Sequence, residues 1–291
     1  MRLFLLLSLS GSLAHGCAAE PKADDTGTEG TADGPAADPS PPDADDPPPE
    51  PVEATALFEI VGEPFDITTS PDGRIFTSIA EHAIDVWDPS TGWVETHTDN
   101  LGAVFGIEWS GDTIFYSTSN HRQSGALMEL EGRTGRVIAD AAGPTVFREP
   151  RDLCLAPDGA WVLADTTLET LFVIRDGGST VEQLSVPLSE PSTLAAGEAH
   201  IYAGGEDGVV QISWPGGAPE VIDARAVNGL HVVDGTLWGT NPDWGVFEVG
   251  TDRRLDLPGV RRPGRMAGGH PLLVTDWGGN GVWAADLTEV E

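Results

Sequence analysis

Asp66, Asp152 and Asn228 are the residues of this chain best suited to chemistry, because each offers a hard oxygen and each opens a recurring segment. Oxygen donors gathered from distant segments suit a divalent cation, Ca²⁺ above all. A carboxylate beside such an ion, Asp66 or Asp152, can activate water against an ester carbonyl. His231, just past Asn228, is the histidine placed to act as acid or base. The same positions also carry cations. Arg151 precedes Asp152, Arg265 ends the series, and a cation beside a metal costs affinity. These arginines open a structural alternative, in which Arg151 and Arg265 pair with Asp66 and Asp152 and the polar groups satisfy one another. Other chemistries find no support: the histidines show no metal-ligand spacing, and no nucleophile elbow or phosphate loop occurs. Cys154 stands in an apolar run and reads as a buried thiol.

Six similar segments must position these residues. "GEPFDITTSPDGRIFTS" from Gly62 and "REPRDLCLAPDGAWVLAD" from Arg148 share a proline, an apolar step and an Asp-Gly turn. "VFGIEWSGDTIFYST", "PSTLAAGEAHIYAGG", "VNGLHVVDGTLWGTN" and "PGRMAGGHPLLVTD" start at Val104, Pro191, Val227 and Pro263. They recur at roughly 36 to 46 residues, a period typical of propellers and arrays. Each holds three short apolar runs, and a fourth strand fills the variable stretch before the next unit. The Asp-Gly pairs at Asp72, Asp158 and Asp234 lie between apolar runs and are turn chemistry. The fold class is therefore all-β, a six-bladed propeller of four-stranded antiparallel blades. The last unit lacks an outer strand, and "TALFEIV" at 55–61 is a strand without a partner, so the N-terminal strand is expected to close the ring.

The segments "PRDLCLAPDGAWVLAD", "PFDITTSPDGRIFTS" and "VNGLHVVDGTLWGTN" resemble the six-bladed propellers of the gluconolactonase, regucalcin and NHL-repeat group, over residues 54–291. That resemblance implies that loops entering the inner strands and loops leaving the second strands share one face around a central channel. The first set holds Phe65-Asp66, Phe105-Gly106, Arg151-Asp152, Ser192-Thr193, Asn228-Gly229 and Gly264-Arg265. The second holds Ile79, Thr118, Asp165, Gly205, Asn241 and Asp276. A ligand at this mouth is expected to meet Arg151, Asn228, Asp165, Asn241, Arg265 and Asp276, and Trp244 and Trp277 suit saccharide or peptide contact. "NGL" at Asn228 resembles the group's "PNGL", whose asparagine binds metal, with Val227 in place of the proline; no glutamate matches the group's "EGP". Two functions follow as expectations: a propeller that binds a small molecule, saccharide or protein at its mouth, or a Ca²⁺-dependent lactonase using Asp66, Asp152 and Asn228.

Composition bounds the rest. "MRLFLLLSLSGSLAHGC" reads as a secretion signal over 1–16, and Leu13 to Cys17 resembles a bacterial lipobox that would leave Cys17 lipidated. Residues 17–53 are rich in Pro, Asp, Ala and Gly and are expected to form a disordered tether, whose roughly 36 residues reach about 120 Å at full stretch. The propeller is assigned to 54–291. The residues after Cys17 are alanines, which by resemblance favours an exported outer-membrane lipoprotein, expected to be a monomer. A net charge of −32 makes nucleic acid and anionic surfaces poor partners.

Overall fold

The computed structural model describes residues 50–79, 83–98, 101–120 and 124–287. The signal segment, Cys17 and the tether up to residue 49 lie outside the described residues. Among those described there is no α-helix, and no helix long and apolar enough to cross a membrane. The strands build six blades of four antiparallel strands, each running from an inner strand outwards, with Glu50–Pro51 added to the edge of one blade and a separate two-stranded ribbon, Ala141–Ala142 with Thr145–Val146. The inner strands are Pro64–Thr69, Ala103–Ser110, Pro150–Leu155, Thr193–Ala196, Gly229–Val233 and Pro263–Gly268. They begin at the six sequence units, as the repeat predicts.

The apolar runs are continuous rather than alternating because both faces of each blade are covered. In the third blade Val162, Ala164, Leu171 and Val173 pack towards the fourth blade. Trp161, Leu163, Phe172 and Ile174, one residue out of phase, pack towards the second. Six such clusters occur among the described residues, one in each wedge between blades. The apolar core is thus a ring, and the axis is left to polar groups.

The turns obey their chemistry. Gly73 and Gly159 sit at φ +84° and +82°, each donating its N–H 2.9 Å back to the residue three before. Asp234 and Gly235 are both left-handed, at φ 50° and 82°, and close a two-residue hairpin between Val233 and Thr236.

Ring closure follows the sequence expectation. Ala54–Glu59 pairs antiparallel with Gly281–Ala285 as the outer strand of the sixth blade, from Ala54 opposite Ala285 to Glu59 opposite Gly281. Just upstream, Glu50–Pro51 runs parallel to Arg254–Asp256 on the fifth blade, and the buried Val52 donates its N–H to Asp256 at 3.1 Å. The start of the described chain therefore grips two adjacent blades.

Candidate functional site

Each inner strand presents its edge to the axis, so its backbone N–H groups need partners that no neighbouring strand supplies. Side chains of the preceding blade fill the need. Asp66 Oδ2 accepts the Ile107 N–H at 2.7 Å, Thr68 Oγ1 the Trp109 N–H at 3.1 Å, and Thr193 Oγ1 the Leu230 N–H at 3.0 Å. Asp152 Oδ2 accepts the Leu194 N–H at 2.7 Å, while its Oδ1 accepts the Leu153 N–H at 2.8 Å. Hydroxyls on the second strands add a layer. Ser78 Oγ accepts from Asp66 N at 2.9 Å and donates to Phe105 O at 2.5 Å, and Thr240 Oγ1 donates to Gly264 O. Close approach requires glycine at Gly106, where an added Cβ would lie 2.7 Å from the Asp152 Cα.

Arg265 completes the network from the opposite side of the ring. It is 3% exposed, its Nη1 lies 2.5 Å from Asp152 Oδ2, and its Nη2 donates to Ser192 O at 2.5 Å. The structural alternative read from the sequence thus holds for this arginine. Arg151 differs, because it pairs with the buried Glu149 rather than with Asp66.

Asp66, Asp152 and Arg265 line a cavity of about 230 Å³ that continues past Glu108, Cys154 and His231 to Leu155 and Val232, where the inner strands lead into their turns. Burial, and then the Asp152 charge, push Asp66 up to about 7. Burial, with Asp66 and Asp152 adding repulsion, pushes Glu108 up to about 8. Asp152 is also raised by burial, against which Arg265 and the N–H donors pull. His231 is lowered by burial, and its Nε2 lies 2.5 Å from Gly268 O. Burial raises the Cys154 thiol well above its ordinary value, consistent with an inert core residue.

Above this level the start of the inner strands is roofed by rings. Phe65 stands edge-on to Phe105 at 5.1 Å and stacks on Trp277 at 5.8 Å. The Arg151 guanidinium lies 4.5 Å from the Phe105 ring and 5.6 Å from Phe65, with about a quarter of the side chain, 27%, exposed. The buried Arg265 lies beneath, 5.4 Å from Phe65.

The structure brings Asp66, Asp152, Arg265 and His231 to one cavity and leaves Arg151 at the mouth above it, but gives Asp165, Asp276, Asn241 and Asn228 different surroundings. Asp165 is fully buried and accepts the N–H groups of Arg148, Glu149 and Leu168 at 2.6, 3.1 and 3.1 Å. Asp276 accepts those of Arg262 and Gly278 at 2.9 and 3.0 Å, and Asn241 those of Asp243 and Trp244 at 2.7 and 3.3 Å. Asp165 through both oxygens, Asp276 through Oδ1 and Asn241 through its Oδ1 thus tie down the loops that flank the inner and second strands. Asn228 pairs through its backbone with Thr240, and its Nδ2 is buried without a partner among the described residues. Trp244 lies on the fifth blade in a separate pocket with Asp243, Arg254 and Asp256, its ring 4.8 Å from the Arg225 guanidinium. Glu108 and Glu149 were missed. Glu108 was legible in principle, because it stands two residues beyond Gly106 and so shares the strand phase of the column that holds Asp66 and Asp152.

The residues do not fit Ca²⁺ as the sequence assigns them. The ion takes six to eight oxygens, yet both oxygens of Asp152 are occupied by N–H donors and a fixed guanidinium stands against it. Among the described residues no three of His, Cys, Asp and Glu converge on a metal position.

Six antiparallel blades around a polar axis, closed by the N-terminal strand, define this chain as a six-bladed β-propeller. Its structural neighbours include gluconolactonase-like propellers. A gluconolactonase from Xanthomonas campestris superposes with a TM-score of 0.68 at 16% identity, covering 80% of this chain and 89% of the other. The PQQ-bound aldose sugar dehydrogenase of Streptomyces coelicolor gives 0.59 at 14% identity, over 84% and 99%. Virginiamycin B lyase from Staphylococcus aureus gives 0.55 at 17% identity, over 79% and 83%. No family model matches the sequence, and no curated protein does. Three different chemistries on one scaffold show that the likeness carries the architecture and leaves function to the site.

Proposed function

We propose that this chain is an exported lipoprotein, anchored through Cys17, whose propeller binds a ligand or partner at the mouth formed by Phe65, Phe105, Arg151 and Trp277. The observation that carries this reading is the division of labour along the axis. Asp66 and Asp152 below are spent on backbone N–H groups and Arg265, whereas the rings and Arg151 above form a partly exposed, mixed aromatic and cationic surface. Such a surface suits the face of a sugar ring or an aromatic side chain, with Arg151 turned towards a hydrogen-bond acceptor.

The test is a binding screen of the full-length protein against soluble oligosaccharides and short peptides, read by ligand-observed NMR. Binders are expected to be lost in Arg151→Ala and Trp277→Ala. Binders retained by both variants would place recognition elsewhere and overturn the reading.

A second reading, a Ca²⁺-dependent lactonase, draws support from the gluconolactonase neighbour and from Asp66, whose raised value of about 7 suits a general base. It requires hydrolysis of a lactone that is lost on chelation and lost in Asp66→Asn. The occupied oxygens of Asp152 weigh against it.

A further inference from the structure

We propose that the central cation of this propeller is the Arg265 guanidinium, a covalent counter-charge for the acidic side chains around it that takes the place of a bound metal ion. The inference goes beyond the mouth reading and holds whether or not the mouth binds a ligand.

The argument starts from charge. Three carboxyl side chains, Asp66, Glu108 and Asp152, line one small cavity with a single arginine. Carboxyl groups from three blades that face one cavity repel one another once ionised, so the charged forms need a cation, and the usual supplier is a dissolved ion. Here the supplier is covalent. Arg265 reaches from the sixth blade to Asp152 on the third and Ser192 at the start of the fourth, beneath Phe65 of the first. Its backbone is fixed as well, the N–H donating to Thr275 Oγ1 at 2.7 Å, and the side chain is 3% exposed. A buried guanidinium held through the chain's own covalent bonds cannot be washed out or chelated. It also repels any second cation from the same cavity. The sequence signal is the exchange itself: Arg265 holds, in the sixth unit, the column position that carries Asp66 in the first and Asp152 in the third.

Thermal unfolding of the full-length protein, with millimolar CaCl₂ and with EDTA, tests this. The wild-type midpoint is expected to be the same in both. Arg265→Ala is expected to unfold at a lower temperature in Ca²⁺ and in EDTA alike, and adding Asp152→Asn, which removes the buried carboxylate left without its partner, is expected to recover part of the loss. Arg265→Lys keeps the charge and remains informative if the alanine variant does not fold. It is expected to be as insensitive to Ca²⁺ as the wild type. Ca²⁺ stabilisation of the wild type or of Arg265→Lys that depends on Asp66 or Asp152 would overturn the proposal, and so would a folded Arg265→Ala that melts with the wild type or whose loss Asp152→Asn does not reduce. Loss of ligand binding at the mouth is a separate readout, so failure of either idea leaves the other identifiable.

Discussion

Asp66 and Glu108 sit near 7 and 8, against ordinary values of 3.8 and 4.5, because burial and facing carboxylates disfavour their charged forms. A raised carboxyl value means that the folded chain keeps a proton the unfolded chain has already released. The sign follows: between about pH 4 and pH 8 the native state binds more protons, so these two groups lower stability as pH rises. Other acids contribute in their own directions, so the useful quantity is the difference between the wild type and Asp66→Asn, which cannot ionise. Urea midpoints measured from pH 4 to 7 are expected to show the wild type losing ground to the variant as pH increases. A constant difference would mean that Asp66 does not carry the shift. Asp165 offers the opposite test at this scale. Removing its carboxylate in Asp165→Ala strands the N–H groups of Arg148, Glu149 and Leu168, at a cost of roughly 3 kcal/mol or more. Denaturant unfolding checks this, and a loss below about 1 kcal/mol would show that the loop finds other partners. The same residue explains a limit of the sequence. A carboxylate at the end of a strand reads alike whether it meets a ligand or a backbone N–H, and those N–H donors leave no trace in side-chain identity.

The blades were legible because strand chemistry is local. Asp72-Gly73, Asp158-Gly159 and Asp234-Gly235 mark turns, and continuous runs such as Trp161–Asp165 mark strands covered on both faces. Ring closure was legible too, since Ala54–Glu59 had no partner nearby and the sixth unit lacked an outer strand. The grip of Glu50–Pro51 on the fifth blade was not, because two residues at the end of a proline-rich stretch carry no strand pattern. Closure matters energetically because the outer strand covers Val282 and Leu273 in the wedge with Ile67 and Ile75, and it satisfies the edge of Gly281–Ala285. Deletion of 54–61 is therefore expected to prevent cooperative folding. Circular dichroism and a thermal melt decide it: an unchanged midpoint would show that closure is dispensable. Gly106 makes a subtler prediction. A methyl group there meets Asp152, so Gly106→Ala is expected to cost about 1–3 kcal/mol through a shifted inner strand. Chemical denaturation reads the cost, and a neutral substitution would mean that the axis tolerates a wider spacing.

At the scale of the molecule, charge and attachment determine what the mouth can reach. A chain with net charge −32 and a single lysine is repelled by anionic lipid and by nucleic acid, so adsorption cannot hold it at a membrane. Under the proposed lipoprotein reading, attachment falls to the segment before the propeller. Residues 17–53 carry Cys17 and seven prolines in 39–51, including Pro47-Pro48-Pro49. More than one acyl chain on Cys17 would make anchoring stable, where one chain alone is marginal. The wild type expressed in a bacterial host is expected to sediment with membranes and to stay there in high salt, because the link is hydrophobic. Cys17→Ser is expected to move to the soluble fraction with the propeller's melting curve unchanged, since the described blades make no use of that cysteine. Retention of Cys17→Ser in the membrane pellet after a salt wash would contradict the lipid anchor and direct attention to a membrane-bound protein partner for the mouth.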